Sequence, residues 1–227
     1  MLLLQFSTSH YCRKARLALG YKGISYRVEN LTPGIHALKL RPLTGLTTTP
    51  VLLPEVPGEV EAIADSTHIL TFLDRYQPDP PLFPTEPNLR NEVNLLEDWL
   101  DESIGVATRF VYYDYRSGEG KALDPSLASQ AVIQIVRKQY GMTPARVTLA
   151  SDRLANALDA LQRWEKAYLV GDRFTAADLT AAALLSPLAR LPYYRQNYPW
   201  LFARIIEVHE RCHEPLPPGL ETDSLSV

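Results

Sequence analysis

Five prolines fall within the ten residues "PDPPLFPTEP", 78 to 87. Each proline removes a backbone donor and fixes φ at about −65°, so neither a helix nor a central strand can run through such a stretch. The chain must therefore fold as two units joined by a semi-rigid connector. Before it, residues 1–77 alternate short apolar runs (Leu2 to Phe6, Ser25 to Glu29, Val51 to Leu53, Val60 to Ile63) with turn formers and helical segments, the texture of mixed strand and helix. After it, residues 88–213 carry no comparable alternation. Leu96, Trp99, Leu100, Ala107, Phe110 and Val111 recur at helical steps, and Val147, Leu154, Leu158 and Leu161 repeat the pattern. The second unit is expected to be all helical. The tail 214–227, "EPLPPGLETDSLSV", is Pro-rich and then polar and is expected to be frayed.

With 227 residues, 46% of them hydrophobic, both units can bury a core. Lys+Arg 23 against Asp+Glu 26 leaves a formal charge of −3, which gives no field for nucleic acid and no cationic run for a membrane surface. Neither is expected as a partner. Cys12 and Cys212 are far apart and belong to no metal-spaced cluster, so no metal is expected and a reducing, cytoplasmic setting fits. Nothing in the sequence reads as a signal peptide or a membrane span.

Chemistry-bearing residues crowd into "STSHYCRKARLAL", 7 to 19, between an apolar strand and an apolar helix. A helix beginning near Tyr11 puts Cys12, Ala15 and Leu19 on one stripe, so Cys12 should point inward as a small hydrophobe. Ser9 precedes the first turn. There a hydroxyl can cap the helix or serve an anion drawn by the unpaired N–H groups, and the residues alone leave the two roles open. Asp65 and Ser66 likewise open a helix whose stripe is Ile69, Phe72, Leu73 and Tyr76. Thr175 and Asp178 form a capping box, with Phe174 and Leu179 in the staple positions, and this pair is read as structural. "RFVYYDYR" sets Arg109, Tyr112, Tyr113 and Tyr115 close to the stripe of the first long helix of the second unit.

Taken together, "STSHYCRKARLAL", "TTTPVLL", "ADSTHILTFLDRY" and "YLVGDRFTAADLTAAALL" resemble the soluble glutathione transferase superfamily, over all of the chain but its tail. The resemblance implies an α/β thioredoxin-like N-terminal domain at 1–77, the linker at 78–87, and an all-α helical C-terminal domain at 88–213. Within the superfamily, Ser9-His10-Tyr11-Cys12 sits in the frame of a Cys-Pro-Tyr-Cys motif. Ser9 falls on the active position, as in serine-type members, and Cys12 on the resolving one. Thr49-Pro50 then stands where these domains keep a cis proline, with Thr49 turning its N–H and C=O toward the cysteinyl backbone of glutathione. Asp65 and Ser66 would meet the ammonium and carboxylate of its γ-glutamyl end. The electrophile would lie between the domains against Arg109, Tyr112 and Tyr113.

The implied activity is that of a glutathione transferase, a detoxification enzyme that uses glutathione as co-substrate: Ser9 holds the thiolate, which attacks an electrophilic small molecule or a peroxide. A homodimer is implied as well. The alternatives are a glutathione-dependent thiol–disulfide oxidoreductase using Cys12, or a non-catalytic binding or scaffold protein. Two departures stand out. His10 replaces the usual proline and adds an imidazole expected to titrate near the thiol. The stretch "TPGIHALKLRPLTGLTTTP" has no cation next to the proline, leaving His36, Lys39 and Arg41 as the nearest groups for the glycyl carboxylate. Arg13 and Lys14 are expected either to favour the thiolate or to lie solvated on the helix surface.

Overall fold

The structure, a computed structural model, describes residues 1–221. Four short strands, β1 (Leu2–Gln5), β2 (Arg27–Asn30), β3 (Val51–Leu53) and β4 (Ile63–Ala64), form one mixed sheet in the order β2-β1-β3-β4. β1 runs parallel to β2 and antiparallel to β3, and β4 is antiparallel to β3. The side-chain period of two sorts the leucines. Leu3 and Leu52 join the main core, shared with α1 (His10–Tyr21) and α3 (Ser66–Tyr76), while Leu4 and Val51 meet Leu40 of α2 (His36–Thr44) on the other face. The first unit is thus a thioredoxin-like three-layer domain.

Its connection to the second unit is fastened rather than free. Lys22 Nζ donates to Asp74 Oδ1 and to the carbonyls of Gln77 and Pro80, Ala176 N donates to Leu82 O, and Leu82 and Phe83 are buried. The Asp79–Pro80 peptide is cis. Glu86, at the linker's end, accepts from the N–H groups of Asn88 and Leu89 and so caps the next helix.

That helix is α4 (Pro87–Trp99), which passes through a π-helical turn at Leu100–Ile104 into α5 (Gly105–Ser117). The single long stripe expected from Leu96 to Val111 is this composite. α6 (Leu127–Gln139), α7 (Pro144–Leu161), α8 (Ala176–Leu185), α9 (Pro192–Asn197) and α10 (Pro199–Arg211) complete an all-helical domain. Every residue of α8 is buried, and α1 packs directly on it. α8 is held at its start by Asp178, whose Oδ1 accepts from Trp164 Nε1 (2.8 Å) and Leu169 N (3.0 Å) and whose Oδ2 accepts from the N–H and hydroxyl of Thr175. Burial raises the Asp178 pKa, opposed by those four bonds.

The tail departs from expectation as far as it is described. Glu214 accepts from Arg16 Nε (2.6 Å), Pro215 O lies 2.8 Å from His209 Nδ1, and Leu220 packs on the main core. Buried partners outweigh the Pro-rich composition here. Residues 222–227 of the expected frayed tail lie outside the described residues.

Candidate functional site

Register brings the motifs of the first domain to one place. Leu4 of β1 stands opposite Val51 of β3, and Val51 stands opposite Ala64 of β4. The residues just past Leu4, just before Val51 and just after Ala64 therefore leave the sheet at the same end. Those residues are the turn to Ser9, the Thr49–Pro50 bond, which is cis, and Asp65–Ser66.

Each has a defined local state. Ser9 is the N-cap of α1, half-buried, and its Oγ accepts from Cys12 N at 3.3 Å. The cap uses an oxygen lone pair and leaves the hydroxyl proton to donate, so capping and anion binding are compatible in one side chain. Asp65 is the N-cap of α3, accepting from Thr67 N (2.8 Å) and His68 N (3.4 Å). It is exposed and sits at φ 76°, in the region that favours glycine. A strained non-glycine residue of this kind tends to mark a functional position. Ser66 beside it is 2% exposed.

The groups around this end correct several expectations. Arg13 and Lys14 are neither solvated nor free to favour a thiolate. Arg13 is 5% exposed and donates to Ser186 Oγ at 2.6 Å, burial and neighbouring Arg16 drawing its pKa down to about 10. Lys14 is fully buried and bonded to Glu97, to Asp101 Oδ1 (2.8 Å) and to Thr67 Oγ1 (3.1 Å). Two carboxylates more than cancel its charge. Burial pushes the Asp101 carboxyl up to about 6, against the pull of Lys14. His10 is also buried, its ring tilted against Tyr11 with centroids 4.6 Å apart and Nε2 3.2 Å from Gly105 O. Burial first, then Arg109 and Arg13, hold its pKa well below the ordinary value, so it stays neutral rather than titrating near the thiol.

These contacts form the seam between the domains, and the π-helical turn builds it. Tyr11 donates to Asp101 O at 2.7 Å, and Gly105 O faces His10. A Cβ at Gly105 would come 2.8 Å from the Tyr11 hydroxyl and 3.1 Å from Leu184, so any larger residue there would displace the Tyr11 ring from its bond to Asp101. The Lys14–Glu97–Asp101 cluster was not anticipated from sequence. Its signal was there: like charges at i and i+4, Glu97 and Asp101, repel on one helix face unless a cation lies between them.

On α5, Arg109 lies over the Tyr11 ring (5.1 Å) and the Tyr140 ring (4.5 Å), which brings it beside the N-terminus of α1. Arg116 lies over both Tyr112 and Tyr113, and the Tyr112 hydroxyl accepts from Arg190 Nη1 at 3.1 Å. Arg109 thus packs with Tyr11 and Tyr140, Tyr112 and Tyr113 pack with Arg116 one turn further along, and Tyr115 packs on Gly120. Of the groups considered for a glycyl carboxylate, Lys39 is paired with Glu29 and His36 Nδ1 accepts from Gly34 N (3.1 Å). Arg41 is exposed and has no ion-pair partner among the described residues. Among the described residues no three His, Cys, Asp or Glu side chains gather as a metal would require, and no helix is long and apolar enough to cross a membrane.

The family model described as glutathione S-transferase, N-terminal domain, matches residues 3–81, and that of the C-terminal domain matches residues 127–201. The chain belongs to the glutathione S-transferase superfamily. Among curated relatives of this superfamily member, the probable glutathione S-transferase parA of Nicotiana tabacum is 28% identical over 68% of this chain and 66% of its own length. A stringent starvation protein A homolog of Pasteurella multocida is 31% identical over 44% of this chain and 47% of its own. The matches thus span less than two thirds of either relative. The fold is that of the glutathione S-transferase from Methylobacterium radiotolerans solved with glutathione sulfonate, at TM-score 0.69 and 22% identity, covering 100% of this chain and 97% of that one.

Proposed function

We propose that the chain binds reduced glutathione at the Ser9 end of its sheet and catalyses attack of the glutathione sulfur on an electrophilic small molecule or a peroxide. The observation that carries this reading is the convergence of Ser9, Thr49–Pro50 and Asp65–Ser66 through the Leu4–Val51–Ala64 register. The glutathione sulfonate in the Methylobacterium relative supports the same ligand here.

An unperturbed thiol, pKa about 8.5, is only about 3% ionised at pH 7, so the site must favour the thiolate. The Ser9 hydroxyl donates to the sulfur, a charge-assisted bond worth roughly 1.5–3 kcal/mol against about 1.4 per pKa unit. One bond therefore lowers the thiol pKa by one to two units. The N-terminus of α1 adds its partial positive charge. Arg13 and Lys14, engaged in the seam, do not contribute. The thiolate then forms an S–C bond with a carbon electrophile as the leaving group departs with the bonding pair. Arg109, Tyr112 and Tyr113 line the electrophile's side, Asp65 meets the γ-glutamyl ammonium, Ser66 its carboxylate, and Thr49 the cysteinyl backbone.

A dithiol redox reaction is disfavoured, because Cys12 is fully buried with its N–H capped by Ser9. A homodimer pairs the first domain of one subunit with the helical domain of the other. Sedimentation equilibrium is expected to show twice the 25.5 kDa chain mass, and a monomer at micromolar concentration refutes the pairing.

Calorimetry with reduced glutathione tests the ligand reading. The chain is expected to bind at millimolar ligand or tighter, and Asp65→Ala to bind at least tenfold more weakly, the loss of one charge-assisted contact. Absence of binding by the unaltered chain overturns the reading in favour of a non-catalytic scaffold.

A further inference from the structure

Residues two apart on a helix point roughly 200° from each other. On α5, Arg109 reaches the Tyr11 ring of the first domain, so Val111 points away from that side, and Val111 and Tyr115 face α7 and α9. There the helices enclose a cleft of ≈ 560 Å³ that the proposed reaction does not use. Its volume falls in the ordinary range of small-molecule sites.

The walls are aromatic. Tyr115, Tyr193, Tyr194 and Tyr198 line it. Tyr194 meets Tyr193 edge-on at 5.2 Å and stacks on Tyr198 at 6.1 Å. The Tyr115 ring lies against the backbone of Gly120, where a Cβ would come within 2.3 Å of the ring, so glycine at 120 is what seats it. Val111 and Leu191 add apolar surface.

The charged groups have one sign. Asp114, Glu119 and Asp152 line the cleft, and no lysine or arginine does. Asp114 is met by Arg137 Nη1 at 2.7 Å, while Glu119 and Asp152 have no ion-pair partner among the described residues. Two uncompensated carboxylates thus stand beside four electron-rich rings. An anion is repelled by such a lining, and a neutral apolar ligand gains nothing from the carboxylates. A bare metal ion finds no gathered ligand set among the described residues. A cation attached to an apolar body satisfies both features, because the negative faces of tyrosine rings attract it and the body covers apolar wall.

We propose that the cleft between α5, α7 and α9 binds an organic ammonium ion carrying an apolar group, with the charge beside Glu119 and Asp152 and against the tyrosine faces. This site is separate from the glutathione end of the sheet, and the proposal stands whether or not the chain is a transferase.

The test is a calorimetric titration of the full chain with benzyltrimethylammonium chloride, benzyl alcohol and benzenesulfonate, with and without saturating glutathione. The ammonium ion is expected to bind saturably at millimolar concentration or below, unaffected by glutathione, and the other two to bind at least tenfold more weakly. Glu119→Gln with Asp152→Asn is expected to weaken the ammonium ion at least tenfold, and Tyr198→Leu several-fold. Both acids are exposed, so the double variant should keep the melting temperature of the parent chain. Equal binding of the alcohol or the sulfonate, displacement by glutathione, an unchanged affinity in the folded double variant, or no saturable binding of the ammonium ion overturns the proposal.

Discussion

The two ends of polar chemistry on α1 are built on opposite terms. At its N-terminus, Ser9 accepts one bond and keeps a proton to give, and Asp65 across the sheet's end is exposed and strained. One to two turns further on, Lys14 and Arg13 are buried and committed to partners on the second domain. The first region has capacity left for a ligand; the second has spent its capacity holding two domains together. Spare ligand-binding capacity and domain packing thereby fall to residues only five positions apart, and substitutions can separate them.

The largest effect is expected in the seam. Lys14→Met leaves Glu97 and Asp101 buried side by side without a cation, which costs about 3–5 kcal/mol. Urea unfolding should show it, and adding Asp101→Asn should recover part of the loss. An exposed-pair value below about 1 kcal/mol would place Lys14 outside the seam.

Next comes a pH effect. Asp101 has its folded pKa raised to about 6 from 3.8, so the folded state holds the proton longer than the unfolded one. Stability from this group is therefore greatest below about pH 4 and is lost as pH rises to about 6, by roughly 3 kcal/mol in full. Relative to Asp101→Asn, the parent chain should lose stability across that window. A difference that stays flat, or that runs the other way, contradicts the buried assignment.

A smaller effect belongs to Cys12→Ser, which puts a hydroxyl on the apolar stripe with Ala15 and Leu19 and should cost about 1–3 kcal/mol. Conjugation should persist in this variant. If disulfide reduction exists and disappears in Cys12→Ser while surviving in Ser9→Ala, the roles of the two residues are reversed.

The same contrast explains what could be read from the sequence. The Ser9, Thr49-Pro50 and Asp65-Ser66 motifs are local, each a cap or a strand start, and a short window holds all their chemistry. The seam is not local. α1 is covered by α3 and by α8 on different sides, so a stripe-and-solvent reading of "CRKARLAL" cannot foresee that Arg13 and Lys14 are both buried. Nor does the sequence foresee a neutral His10: its partner, Gly105 O, is 95 residues away at the start of α5, just past a π-helical turn that periodicity does not announce. The tail's composition likewise says nothing of Arg16, which holds Glu214.

Ser9→Ala is expected to have the smallest effect on stability, about 0.5–2 kcal/mol for a lost N-cap, and it carries the decisive measurement. The ultraviolet absorbance of thiolate in the glutathione complex, followed against pH in the parent chain and in Ser9→Ala, reports directly on the bond the account depends on. The parent complex should ionise one to two pH units below free glutathione, and Ser9→Ala should return most of the way to about 8.5, with conjugation of a chloronitrobenzene falling roughly ten- to a hundredfold near neutral pH. A bound thiol that ionises at the same pH in both proteins would contradict the claim that Ser9 holds the thiolate.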